Sequence, residues 1–211
     1  MMKKIKFLMI AMMAIIGSVS FTACSDDDDN TGGQSNYDRY QKVVNETVKK
    51  HKKSDKVILL VAFGATWQQA FDTFDHVKSE YEKSFKDYDV YLSFSSAICI
   101  NNARAGEHKA EGAEVREYFD PEHWLTAIGM AGYKQIVVQS LQVTPGEEYR
   151  RVRDSYVKDF MNNRNNDFTK EYMKSLDKQV VVGTPLMAEG GDVQKLAQVL
   201  VNEQDILEAL N

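Results

Sequence analysis

The 211-residue sequence predicts an α/β fold: a parallel four-stranded sheet with helices on both faces. Three observations predict it. Short apolar runs recur four times, segments with helical spacing separate them, and the first run, Val57-Ile58-Leu59-Leu60-Val61-Ala62-Phe63, is apolar at every position. A strand that is wet on one face alternates apolar with polar residues, whereas one covered on both faces does not. Covered strands joined by helices belong to parallel sheets built from right-handed crossovers.

In chain order, residues 37–53 place Tyr37, Tyr40, Val43, Val44 and Val48 on one helical stripe and close in a basic turn, which suits the negative end of a helix dipole. The first strand follows and stops at Gly64. Residues 67–85 form the next helical segment, Val90-Tyr91-Leu92-Ser93-Phe94 the second strand and residues 121–132 another helix. Gln135-Ile136-Val137-Val138-Gln139 is the third strand and Gln179-Val180-Val181-Val182 the fourth. Residues 191–200 read as a modest helix and 203–211 as the opening of another, with no cap to close it. Residues 101–117 mix charge with small side chains and 162–167 are a polar turn, and neither carries a motif. In an open parallel sheet the ligand lies off the carboxyl ends of the strands. The informative residues are therefore Gly64-Ala65-Thr66-Trp67, Ser95-Ser96-Ala97, residues 140–149 and Gly183-Thr184-Pro185-Leu186.

Ahead of this domain, Lys3, Lys4 and Lys6 precede an uncharged apolar stretch over residues 7–19 that is too short to span a bilayer, so residues 1–23 read as a signal peptide. Phe21-Thr22-Ala23-Cys24 resembles the lipobox of bacterial lipoprotein precursors, with Cys24 as the lipidated N-terminus of the mature chain. Four consecutive aspartates and a Gly/Ser/Asn tract follow, so residues 24–36 are expected to be a flexible acidic tether and 37–211 the folded domain. The expected location is the cell envelope, periplasmic or surface-facing. Lipidation leaves Cys99 as the only thiol, in the apolar run Ala97-Ile98-Cys99-Ile100, where it reads as buried and inert. Loss of the three leader lysines takes the formal charge from −5 to −8, which argues against nucleic acid as a partner.

There is no phosphate-binding Gly-Lys-Ser/Thr loop, no G-x-G-x-x-G after the first strand and no G-x-S-x-G elbow. His51, His76, His108 and His123 lack metal-ligand spacing. The strongest segment runs from the third strand through Gln139-Ser140-Leu141-Gln142-Val143-Thr144-Pro145-Gly146 into Glu147-Glu148-Tyr149. Paired carboxylates suit a helix start, and a carboxylate at the mouth of the sheet could equally ligate a divalent cation or accept protons. Composition and spacing leave both readings open.

That segment also carries a resemblance. Together with Leu59-Leu60-Val61-Ala62-Phe63-Gly64, Phe94-Ser95-Ser96, Gly132-Tyr133 and Val182-Gly183-Thr184-Pro185-Leu186, in that order, it resembles the anaerobic type of cobalt chelatase, which inserts Co(II) into sirohydrochlorin, a cobalamin precursor. The resemblance covers residues 57–200. It implies a class II chelatase fold of two similar α/β halves around a tetrapyrrole cleft, with this chain as the first half, and on that reading the chain ends before the second. In the family two histidines of the second half hold the metal with a glutamate that maps onto Glu148. Gly64, Thr66, Ser95, Ser96, Ser140 and Gln142 are the implied tetrapyrrole contacts.

Three positions depart from the family pattern: Gln142 where relatives commonly have histidine, Ala65-Thr66 after Gly64 where they have Thr-Ser, and Asn101-Asn102 where a basic pair is frequent. The expected activity is Co(II) insertion, weak for this chain alone, with the metal as substrate. The alternative is an envelope lipoprotein that binds haem, another tetrapyrrole or a metal without catalysis. Pairing of two copies to rebuild the missing half is a third expectation.

Overall fold

The computed structural model describes residues 35–105 and 116–202. Cys24, most of the expected tether, His108 and residues 203–211 lie outside the described residues. The elements run α1 (Asn36–His51), β1 (Lys56–Ala62), α2 (Gln68–Ser84), β2 (Asp89–Phe94), α3 (Ala97–Ala105), α4 (Pro121–Met130) and β3 (Gln135–Ser140). They continue with α5 (Glu147–Arg151), a π-helical segment (Val152–Val157), α6 (Lys158–Met161), α7 (Lys170–Ser175), β4 (Val180–Gly183) and α8 (Gly190–Asn202). The four strands form one parallel sheet, as the sequence predicts, and their order is β2-β1-β3-β4.

The all-apolar β1 takes the centre, and every residue after Lys56 is buried. One face carries Val57, Leu59, Val61, Ile136 and Val138 against α1, α4, the π segment and Leu176. The other face carries Ile58, Leu60, Val90 and Leu92 against Phe71 of α2 and Cys99, Ile100 and Ala103 of α3. Helices thus cover both faces, but α2 and α3 lie over β1 and β2. On that side Val137 is only half-buried and Val181 is 52% exposed, while α8 buries none of its residues. Strands β3 and β4 therefore do not receive the double cover that their apolar composition suggests, whereas β2 is buried throughout.

Local chemistry sets the helix starts. The Ser35 hydroxyl accepts from the Asp38 amide and begins α1, and Asp120 accepts from the His123 amide with Pro121 in the first turn of α4. Residues 101–105, read from sequence as featureless, extend α3. The Ser96 hydroxyl accepts from the Cys99 amide at its start, and Cys99, Ile100 and Ala103 form its buried stripe. At the amino ends of the strands, the Asp89 carboxylate accepts from the amides of Lys53 and Ser54 (3.0 and 3.1 Å) and from the Tyr133 hydroxyl (2.6 Å). Burial and the bond to Asp89 push the Tyr133 phenol well up, so it stays a donor.

Candidate functional site

The carboxyl ends of three neighbouring strands are flush. Ala62 of β1 pairs with Phe94 of β2, and Val61 with Ser140 of β3. The ladder continues past the strand ends: the Ser95 amide donates to the Ala62 carbonyl (2.9 Å), the Ser96 amide to Phe63 (3.0 Å) and the Leu141 amide to Val61 (2.8 Å). The turns that carry the expected site residues are thus held by the same hydrogen bonds that build the sheet.

Gly64 leaves β1 at φ 113°, a backbone conformation that side chains disfavour. A Cβ there would stand 2.7 Å from the Cys99 Cβ and 2.9 Å from the Phe94 ring. The glycine therefore permits close approach of the β1 turn to α3. Thr66 lies half-buried on this turn, followed by Trp67, 68% exposed at the start of α2.

Glu148 comes from the far side. The loop after β3 is tied to the loop after β4 by the Leu186 amide to the Gln142 carbonyl (3.0 Å) and the Met187 amide to Val143 (2.8 Å). It then delivers Glu147 and Glu148 to the first turn of α5, with Glu147 exposed and Glu148 half-buried. The Ser95 hydroxyl, on a residue only 2% exposed, donates to Glu148 Oε2 at 3.2 Å. Burial pushes the neighbouring Cys99 thiol up, against the opposing bond to Ser96, and the Glu148 charge pushes it in the same direction as burial. Ser95, Ser96, Cys99 and Glu148 thus gather at the strand ends, beside Gly64.

The other expected residues are arranged differently. Ser140 is buried, and its hydroxyl accepts from the Gln142 amide (3.2 Å) and donates to Gln142 Oε1. The Gln142 Nε2 is buried with no partner among the described residues. Ser96 is engaged in starting α3. Among the described residues no group of three or more His, Cys, Asp and Glu side chains is placed to hold a metal. A cleft of about 980 Å³ lies between α1, α2 and β2, and shares no lining residue with the strand-end cluster.

Sequence reasoning did not find the Ser95–Glu148 contact, since the residues are 53 positions apart. It also missed the Asp120–His123 pair (Oδ1 to Nδ1, 2.9 Å), whose three-residue spacing after a strong N-cap was the available signal.

Residues 56–208 match the family model for cobalt chelatase (CbiK). The chain belongs to that family. It is also 22% identical over 146 residues to the sirohydrochlorin cobaltochelatase of Salmonella typhimurium, across 69% of this chain and 47% of that protein. The chain spans about half the length of the curated relative it matches. The whole strand-end cluster lies inside the matched residues.

Proposed function

We propose that this chain contributes to insertion of Co(II) into sirohydrochlorin or a closely related tetrapyrrole, with Glu148 as the group that touches the cation. The supporting observation is the position of Glu148: a half-buried carboxylate at the carboxyl ends of a parallel sheet, inside a segment that matches the family. Insertion needs a cation held with open coordination positions, acceptors for the two pyrrole N–H protons that leave as the metal enters, and a wall that keeps the macrocycle beside the metal. Glu148 shares in the first two roles, as a ligand to the cation and as acceptor of one of the two protons, while the second proton leaves to water. The hydroxyls of Ser96 and Thr66 beside the Gly64 turn, and the Gln142 Nε2, which has no partner among the described residues, are the donors on offer to the substrate's carboxylates.

A single carboxylate is a weak ligand for Co(II), which favours imidazole together with carboxylate. A site built on Glu148 without imidazole is therefore expected to insert the metal slowly. Anaerobic titration of the full chain with sirohydrochlorin and Co(II), followed by absorbance, tests the reading beside Glu148→Ala. Slow insertion lost in the variant supports it, and insertion that persists in Glu148→Ala overturns the role of Glu148.

The basic leader, the lipobox-like Phe21-Thr22-Ala23-Cys24 and the acidic run after it favour a second reading. An exported, lipid-anchored chain of this family would hold haem, another tetrapyrrole or a metal at the envelope without inserting anything. A spectral shift with haem and no metal insertion supports it. The anchor itself is tested by fractionation: Cys24→Ser should move the protein from membranes to the soluble fraction.

A further inference from the structure

The residue that holds Glu148 is as informative as Glu148 itself. Ser95 is 2% exposed, so its hydroxyl has little open surface to offer to a bound macrocycle. Its amide is fixed to the Ala62 carbonyl at 2.9 Å, an extension of the β1–β2 ladder, which places the side chain by the register of the sheet. From there the hydroxyl donates to Glu148 Oε2 at 3.2 Å. The donor is thus anchored to the sheet, and the acceptor stands on a helix that arrives after a loop of residues 141–146.

We propose that Ser95 is a positioning residue for the Glu148 carboxylate: it restrains one oxygen, Oε2, and turns the other toward the cation and the leaving pyrrole protons. This rests on the reading of Glu148 as the cation-touching group. A bond of 3.2 Å is longer than the usual O–H···O distance of about 2.7–2.8 Å, and such bonds commonly tighten when a site is loaded. Hydrogen-bonded partners of metal-binding carboxylates act in this way, and their removal typically costs about 10–100-fold in metal affinity. The lower end of that range suits one bond of this length. Because the Ser95–Ala62 bond uses backbone atoms only, Ser95→Ala keeps the ladder and deletes the hydroxyl alone.

The test uses the full chain and Co(II) alone, titrated calorimetrically at a temperature where circular dichroism shows every variant fully folded. Ser95→Ala should weaken Co(II) binding by about 10-fold, Ser95→Thr should restore it, and Ser95→Ala should add no further loss in a Glu148→Gln background. Undiminished binding in Ser95→Ala, with binding lost in Glu148→Gln, overturns the positioning role and leaves the reading of Glu148 standing. An equal loss from Ser95→Ala in both backgrounds also overturns it, since the serine would then act independently of Glu148. Wild-type binding in Glu148→Gln overturns the reading and the positioning role together. A second readout needs no metal: the ¹³Cδ resonance of Glu148, assigned by its absence in Glu148→Gln, should move in Ser95→Ala, and an unmoved resonance refutes the contact.

Discussion

Replacing Asp89 with alanine should destabilise the fold by about 3–4 kcal/mol while leaving Co(II) binding unchanged. Asp89 is 9% exposed and accepts three hydrogen bonds, from the amides of Lys53 and Ser54 and from the hydroxyl of Tyr133. The Tyr133 bond is the most costly to lose. The residue is fully buried, its hydroxyl donates to a carboxylate at 2.6 Å, and such a bond contributes about 2 kcal/mol. The two amides border the large cleft, where water can replace the lost acceptor in part, so about 0.5–1 kcal/mol is assigned to each. Denaturant unfolding followed by circular dichroism measures the total, and a cycle with Tyr133→Phe isolates the pair. The double variant should be less destabilised than the two single losses combined, by about 1–2 kcal/mol, because both single changes remove the same bond. A cost below about 1 kcal/mol for Asp89→Ala, or additivity within about 0.5 kcal/mol, would refute the reasoning. Asp89 begins β2 and Ser95 lies beyond its far end, so a change in Co(II) affinity would equally show that the two ends of the sheet are not independent.

Gly64→Ala should cost about 2–4 kcal/mol, from a strained φ and from contacts with Cys99 and Phe94 that must open, measured by the same unfolding assay. Asp120→Asn keeps an N-cap but removes the charge beside His123. Burial alone would raise the Asp120 pKa, yet the hydrogen bond and charge of His123 bring it below its ordinary value. The unfolded state therefore binds the proton more readily. The wild-type advantage, about 1 kcal/mol, should be full above about pH 4 and disappear as pH falls through the lowered Asp120 value; denaturant midpoints measured across this range check it. Cys99, buried and with its thiol pushed up, should react with a thiol reagent far more slowly in the native chain than in the unfolded one, measured in a Cys24→Ser background.

The sheet was legible because its signal is local. Val57 to Ala62 are apolar without interruption, and the strand that results is the central one, buried on both faces. The helix α3 was not legible. Its residues Ala97-Ile98-Cys99-Ile100 read only as an apolar run, and the deciding feature is the Ser96 hydroxyl on the Cys99 amide, which depends on how the chain turns off β2. The partial exposure of Val137 and Val181 was hidden for a different reason, since cover on a face depends on where helices from elsewhere lie. In the site, Glu148 was singled out by the family resemblance, since composition and spacing left the Glu147-Glu148 pair with two readings, whereas its hydrogen-bond donor could not be named. Ser95 meets Glu148 only through the parallel register of β2, β1 and β3, a relation spread over 53 residues.

The strand order β2-β1-β3-β4 has a consequence for how the molecule is made. During synthesis β1 emerges first of the four, β2 joins one of its sides, β3 the other, and β4 adds beyond β3, so every strand after β1 finds a neighbour already present. No strand must wait unpaired for a segment made much later, a situation in which exposed apolar edges invite aggregation. Growth outward from the first-made strand means that a nascent chain stopped after β3 already carries both Ser95 and the register that will receive Glu148.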